Sequence, residues 1–109
     1  MNAATIEGLM GRNKEAEVSL RRVLELQQRV LGPNQPETAV TLYNLASSVA
    51  KNGDSRQALS LLRQSVDHGL LPRWAAGIGE DSDLNALHGV AGFADLVAYA
   101  KTRAAAQNH

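Results

Sequence analysis

The chain has 109 residues, enough for a single domain with a modest core. Eleven basic residues balance eleven acidic ones, so bulk charge gives no argument for a nucleic-acid or anionic-membrane partner. Cysteine is absent, which excludes a disulfide frame, a thiol nucleophile and a thiolate metal site and suits a reducing compartment.

The first ten residues lack both a basic start and an uninterrupted apolar core, so they do not read as a signal peptide. No apolar run approaches the length of a membrane span, and a cytoplasmic protein is expected. Apolar spacing is helical throughout, and no segment alternates as a strand would. A helix is predicted near 2–10 and a long amphipathic one over 13–31, with Ala16, Leu20, Val23, Leu24, Val30 and Leu31 on one face. Glu17, Arg21, Glu25 and Arg29 form a row of alternating sign at four-residue steps, the mark of a solvated face.

Gly32-Pro33-Asn34-Gln35-Pro36 ends that helix, and Pro36 suits the first turn of the next, where its missing N–H is no loss. This helix is predicted over 36–52, with Ala39, Leu42, Leu45, Ala46 and Val49 inward. After an Asn52-Gly53-Asp54 turn, Ser55 is the expected N-cap of a helix over 55–68 that buries Ala58, Leu59, Leu62 and Val66. Gly69 stops it. A short helix opened by Pro72 is expected over 72–78, then an acidic loop, one turn at Asp83–His88, and a last amphipathic helix over 91–106 carrying Phe93, Leu96, Val97 and Ala100.

Two stretches share one signature. Gly11-Arg-Asn-Lys-Glu-Ala16 recurs as Gly53-Asp-Ser-Arg-Gln-Ala58, and the register continues through Leu20/Leu62, Arg21/Arg63, Leu24/Val66 and Glu25/Asp67, each pair 42 positions apart. It holds weakly backwards through Asn2/Asn44, Ala4/Ala46 and Thr5/Ser47. A fixed period of this length marks a supersecondary unit that buries its apolar face against the next copy, and such arrays are usually scaffolds.

With Ala46 and Ala58 where two antiparallel helices must approach closely, Gly53 at the turn, and Leu42, Leu45, Val49 and Leu62 around them, residues 11 to 66 resemble the tetratricopeptide repeat. Val30–Ala39 and Leu42-Tyr-Asn-Leu-Ala46 are similar to the longer 42-residue variety of kinesin light chains and many bacterial proteins. The resemblance implies an all-α, right-handed α-solenoid of antiparallel hairpins. Residues 1–70 would hold a partial and one complete repeat, and 71–109 a degenerate repeat with a C-terminal capping helix in the same domain. The stretch from Asp83 to Val97 is similar to the closing segment of bacterial tetratricopeptide proteins, some appended to Ser/Thr kinases. It has Val90-Ala91-Gly92 where those carry Asp-Pro-Arg before the Phe.

In that family the first helix of each repeat lines a concave groove. Carried over position by position, the resemblance assigns peptide contact to Tyr43, Asn44, Ser47 and Lys51, with Asn2 and Thr5 one period earlier. An Asn amide donates and accepts at once, which suits a peptide backbone, and Lys51 adds a carboxylate contact. The same positions also fit an ordinary solvated helix face. Trp74 is either an exposed anchor or, in the reading preferred here, a plug for the open end of the solenoid. His68, His88 and His109 lack the spacing of a metal site, and His68 suits a helix C-terminus. Ser82, Asp83 and His88 lack an oxyanion-hole motif, and Gly77-Ile-Gly79 follows no strand, so neither a triad nor a phosphate loop is expected. The expectation is a non-enzymatic protein or peptide binder without cofactor or metal. The alternative is a structural closing end of a longer array, or a homo-oligomer.

Overall fold

A computed structural model describes the backbone of residues 3–32 and 35–107 and the side chains of 14–32 and 35–106. Helices α1 (Ala3–Val30), α2 (Pro36–Lys51) and α3 (Ser55–Asp67) precede a short α4 (Pro72–Ala76). Two 3₁₀ turns (Ile78–Glu80 and Ser82–Leu87) then lead into α5 (Phe93–Gln107). No strand occurs among the described residues, and the fold is an all-α helical repeat.

The α2–α3 hairpin is the centre of the molecule. Pro36 opens α2 after an extended Gln35, and Glu37 and Lys51 stand at the ends where they complement the helix dipole. The turn that follows places Gly53 at φ +97°, a conformation that L side chains adopt with strain. The N-cap of α3 is Asp54 and not the expected Ser55. Its carboxylate accepts from the Gln57 N–H at 3.1 Å, and Ser55 becomes the first helical residue. Across the hairpin Leu42, Leu45, Ala46, Val49, Ala58 and Leu62 are fully buried. Ser65 is buried as well, its hydroxyl donating to the Ala39 carbonyl at 2.6 Å and so joining the end of α3 to the start of α2.

The first helix departs from the expected pattern in two ways. One continuous helix replaces the predicted pair at 2–10 and 13–31, running through Gly8 and Gly11. Glycine inside a helix costs only about 1 kcal/mol relative to alanine and does not by itself make a turn. The counterpart of the capping Asp54 is Arg12, which has no acceptor for an N-cap bond, so the Gly11 turn lacks what stabilises the Gly53 turn. The predicted apolar face also divides. Leu20 and Leu24 pack against the core, whereas Val23, Val30 and Leu31 are 42%, 79% and 44% exposed. The charged row does form its pairs, Arg21–Glu17 at 3.2 Å and Arg29–Glu25 at 2.6 Å.

The C-terminal third covers the other side of the hairpin. Leu70, Ala75, Ile78, Leu84 and Leu87 are buried together with Phe93, Leu96, Ala100 and Ala104 of α5. The 3₁₀ turn of 78–80 comes so close to α5 that a Cβ on Gly79 would stand 3.2 Å from Val97 Cγ1. A polar cluster joins α5 to α3. The Tyr99 hydroxyl donates to the Asp67 carboxylate, the Arg63 guanidinium lies 3.7 Å from the centre of the Tyr99 ring, and Arg103 stands 3.7 Å from Asp67.

Candidate binding face on helix α2

Of the six residues assigned to a groove, four lie on α2 with described side chains. Asn44 is exposed. Lys51 is exposed, its ammonium 3.0 Å from Asp83 Oδ1. Tyr43 and Ser47 are turned inward, 4% and 8% exposed, and the Ser47 hydroxyl donates to the Tyr43 carbonyl at 3.3 Å. Thr5 belongs to α1, but its side chain, like all of Asn2, lies outside the described residues.

Tyr43 is where the chain's own C-terminal segment meets this face. Trp74 stands edge-on to the Tyr43 ring, with centroids 5.3 Å apart and planes at 87°. The phenol donates to one oxygen of Asp81, whose other oxygen accepts from the Asp83 N–H at 2.9 Å. One carboxylate thus caps the second 3₁₀ turn and holds it against α2. Burial, reinforced by the hydrogen bond to Asp81 and the charges of Asp81 and Asp83, raises the phenol above its ordinary titration range. Tyr43 is therefore a fixed neutral donor at physiological pH.

Together these residues shape an open depression of about 420 Å³ lined by Tyr43, Arg73, Trp74, Gly77, Glu80 and Asp81. Its walls are aromatic, with one cation and two carboxylates at the rim. Arg73, Glu80 and Asp81 are not part of the sequence-based set, which read the stretch after the short helix only as an acidic loop; Asp81 caps the 3₁₀ turn that follows and reaches Tyr43 as well. Ser82, Asp83 and His88 do not converge, since Asp83 is turned to Lys51 and the His88 ring stands 5.5 Å from that of Phe93.

Residues 1–68 match the family model described as tetratricopeptide repeat. The chain belongs to the tetratricopeptide repeat family. No curated protein and no solved structure matched it in the corresponding searches. Tetratricopeptide repeats generally mediate protein–protein interaction and are non-catalytic. The matched span closes one residue after α3, so the repeat proper is α1–α3, and the depression forms where the segment beyond it folds back on α2.

Proposed function

We propose that this tetratricopeptide repeat chain is a non-catalytic interaction module that takes an extended peptide or a partner helix along the face of α2. Asn44 supplies the paired donor and acceptor for a backbone, and Lys51 the contact for a carboxylate. Tyr43 and Ser47 shape the floor, and the repeat register gives the same assignment to Thr5 and Asn2, whose side chains lie outside the described residues. The observation that carries this reading is the position of Asn44, exposed on α2 one residue from the Tyr43–Trp74 depression. The Lys51–Asp83 pair is compatible with it, because both side chains are largely exposed (42% and 61%) and an exposed ion pair is worth ~0–1 kcal/mol. A partner's carboxylate can replace Asp83 at little cost. No helix among the described residues is long and apolar enough to cross a membrane, and a cysteine-free chain fits a cytoplasmic setting.

Isothermal titration against a peptide library tests the reading, with Trp74 fluorescence as a second signal. The Asn44→Ala/Lys51→Ala variant should lose the selected peptides while melting at the parent temperature. If it binds them normally, or fails to fold, the face is not a recognition surface. A second reading, self-association or the closing end of a longer array, is favoured by one observation of its own, the exposed apolar residues of α1.

A further inference from the structure

The chain contains the same tyrosine–aspartate unit twice, and only one of the two carries a cation. Between α3 and α5 the Tyr99 hydroxyl donates to Asp67, and the Arg63 guanidinium lies 3.7 Å from the centre of the Tyr99 ring. Arg63 Nε and Arg103 Nη1 stand 3.6 Å and 3.7 Å from the Asp67 oxygens. Ring and carboxylate there attract the same guanidinium, the ring through its quadrupole and the carboxylate through its charge. On α2 the Tyr43 hydroxyl donates to Asp81 in the same way, and Trp74 adds a second ring. Neither Asp81 nor Glu80 beside it pairs with a lysine or arginine among the described residues.

Over this second unit lies the open depression of about 420 Å³. Its rings are the half-buried Trp74 and the nearly covered Tyr43, its anions Asp81 and Glu80, and its single cation Arg73. Arg73 is exposed and forms no ion pair among the described residues, so it does not neutralise either carboxylate by contact. The floor senses the excess of negative charge: Asp81 and Asp83 add to burial in raising the proton affinity of Tyr43, and no cation offsets them. Asp81 uses one lone pair on each oxygen, for the Tyr43 hydroxyl and the Asp83 N–H, and a carboxylate has about four acceptor sites, so it can take further donors. Glu80 is exposed and has its full acceptor capacity.

We infer that the depression is a subsite for one arginine side chain of the partner peptide, its guanidinium against Trp74 and its N–H groups on Asp81 and Glu80. This rests on the reading of α2 as a peptide face, in which Asn44, next to Tyr43, holds the backbone while the depression takes the side chain. Charge complementarity selects the cation: an acidic side chain meets two anions against one cation, and an apolar one covers carboxylates without pairing them. Geometry selects arginine over lysine. A guanidinium is planar, stacks on an aromatic face and carries its donors in a fork that reaches carboxylates in the same plane, whereas an ammonium is a compact, strongly hydrated point charge. The chain makes the same choice for itself at Tyr99, where both cations are arginines.

The test is a titration of the full chain, followed by the fluorescence of its single tryptophan, with four pools of blocked nonapeptides. The pools carry Arg, Lys, norleucine or Glu at a fixed central position and are otherwise random. The arginine pool should bind about tenfold more tightly than the norleucine pool, with lysine between them and glutamate weakest. Glu80→Gln, at an exposed position, should lower the affinity of the arginine pool about threefold and leave the norleucine pool unchanged. Arg73→Gln should raise the affinity of the arginine pool, because it removes the one repelling charge. The Asn44→Ala/Lys51→Ala variant should weaken all four pools. Equal binding of the four, or a preference for glutamate that Arg73→Gln abolishes, overturns the arginine subsite and leaves the α2 face standing. An arginine preference that persists while Asn44→Ala/Lys51→Ala changes nothing keeps the subsite and overturns the α2 contacts. No binding by any pool overturns both.

Discussion

Replacing Tyr43 by phenylalanine removes one oxygen and isolates the bond that pins the C-terminal segment to the repeat. The ring, its edge-on contact with Trp74 and its packing are retained, and no cavity larger than a hydroxyl is made. What is lost is a donor to a carboxylate, a class of bond worth about 1.5–3 kcal/mol. Asp81 is half-buried and keeps its bond from the Asp83 N–H, so water can satisfy the freed oxygen and the lower end applies. About 1.5 kcal/mol in a domain of this size lowers the melting temperature by about 6–12 °C. Urea unfolding followed by Trp74 fluorescence measures the loss directly. The same variant carries a pH signature. The folded protein holds the Tyr43 proton more tightly than the unfolded chain, since burial and Asp81 raise its pKa. Its contribution is therefore whole below about pH 10, the unfolded value, and is lost as the pH rises beyond it. In Tyr43→Phe that part of the alkaline decline should be gone. An unfolding midpoint equal to the parent's, with the same alkaline slope, would refute the claim that this bond couples the segment to α2.

Ala46→Leu and Ala58→Leu each place three extra carbons where both parent side chains are 0% exposed, and each should destabilise by about 1–3 kcal/mol in urea titration. Gly53→Ala meets nothing within 4 Å, so its effect is conformational alone, about 1–2 kcal/mol for a left-handed residue, visible as a lower melting temperature.

The elements that could be read from sequence are those whose signals are local. Pro36, Gly53 and Gly69 punctuate α2 and α3, and the predicted spans of 36–52 and 55–68 differ by one residue each from Pro36–Lys51 and Ser55–Asp67. Beyond Gly69 the spans drift further, because 3₁₀ turns have no 3.6-residue periodicity to detect and here replace part of the predicted helices. The repeat register pointed to Tyr43, Asn44, Ser47 and Lys51 of α2, yet the contacts these residues make within the chain could not be read from it. Tyr43 and Asp81 are 38 positions apart, and nothing near either residue announces the other. The same holds for Tyr99, whose bond to Asp67 and stacking beneath Arg63 depend on how α5 crosses α3. Misreading α1 had a different cause. Periodicity reports that a helix is amphipathic, not whether a neighbour is present, so Val23 and Val30 looked like core residues although the structure leaves them in solvent.

The two ends of the array are chemically unequal, and this limits how copies can join. Of the six large hydrophobic residues most exposed among those described, five lie on α1 or immediately after it, while the far side of α3 is closed by α5 and the Asp67 cluster. Head-to-tail growth into a fibre needs two different adhesive surfaces, one at each end of the repeating unit. With one end sealed, copies that joined through α1 would have to use the same surface on both partners, and a contact made that way would be complete at two chains.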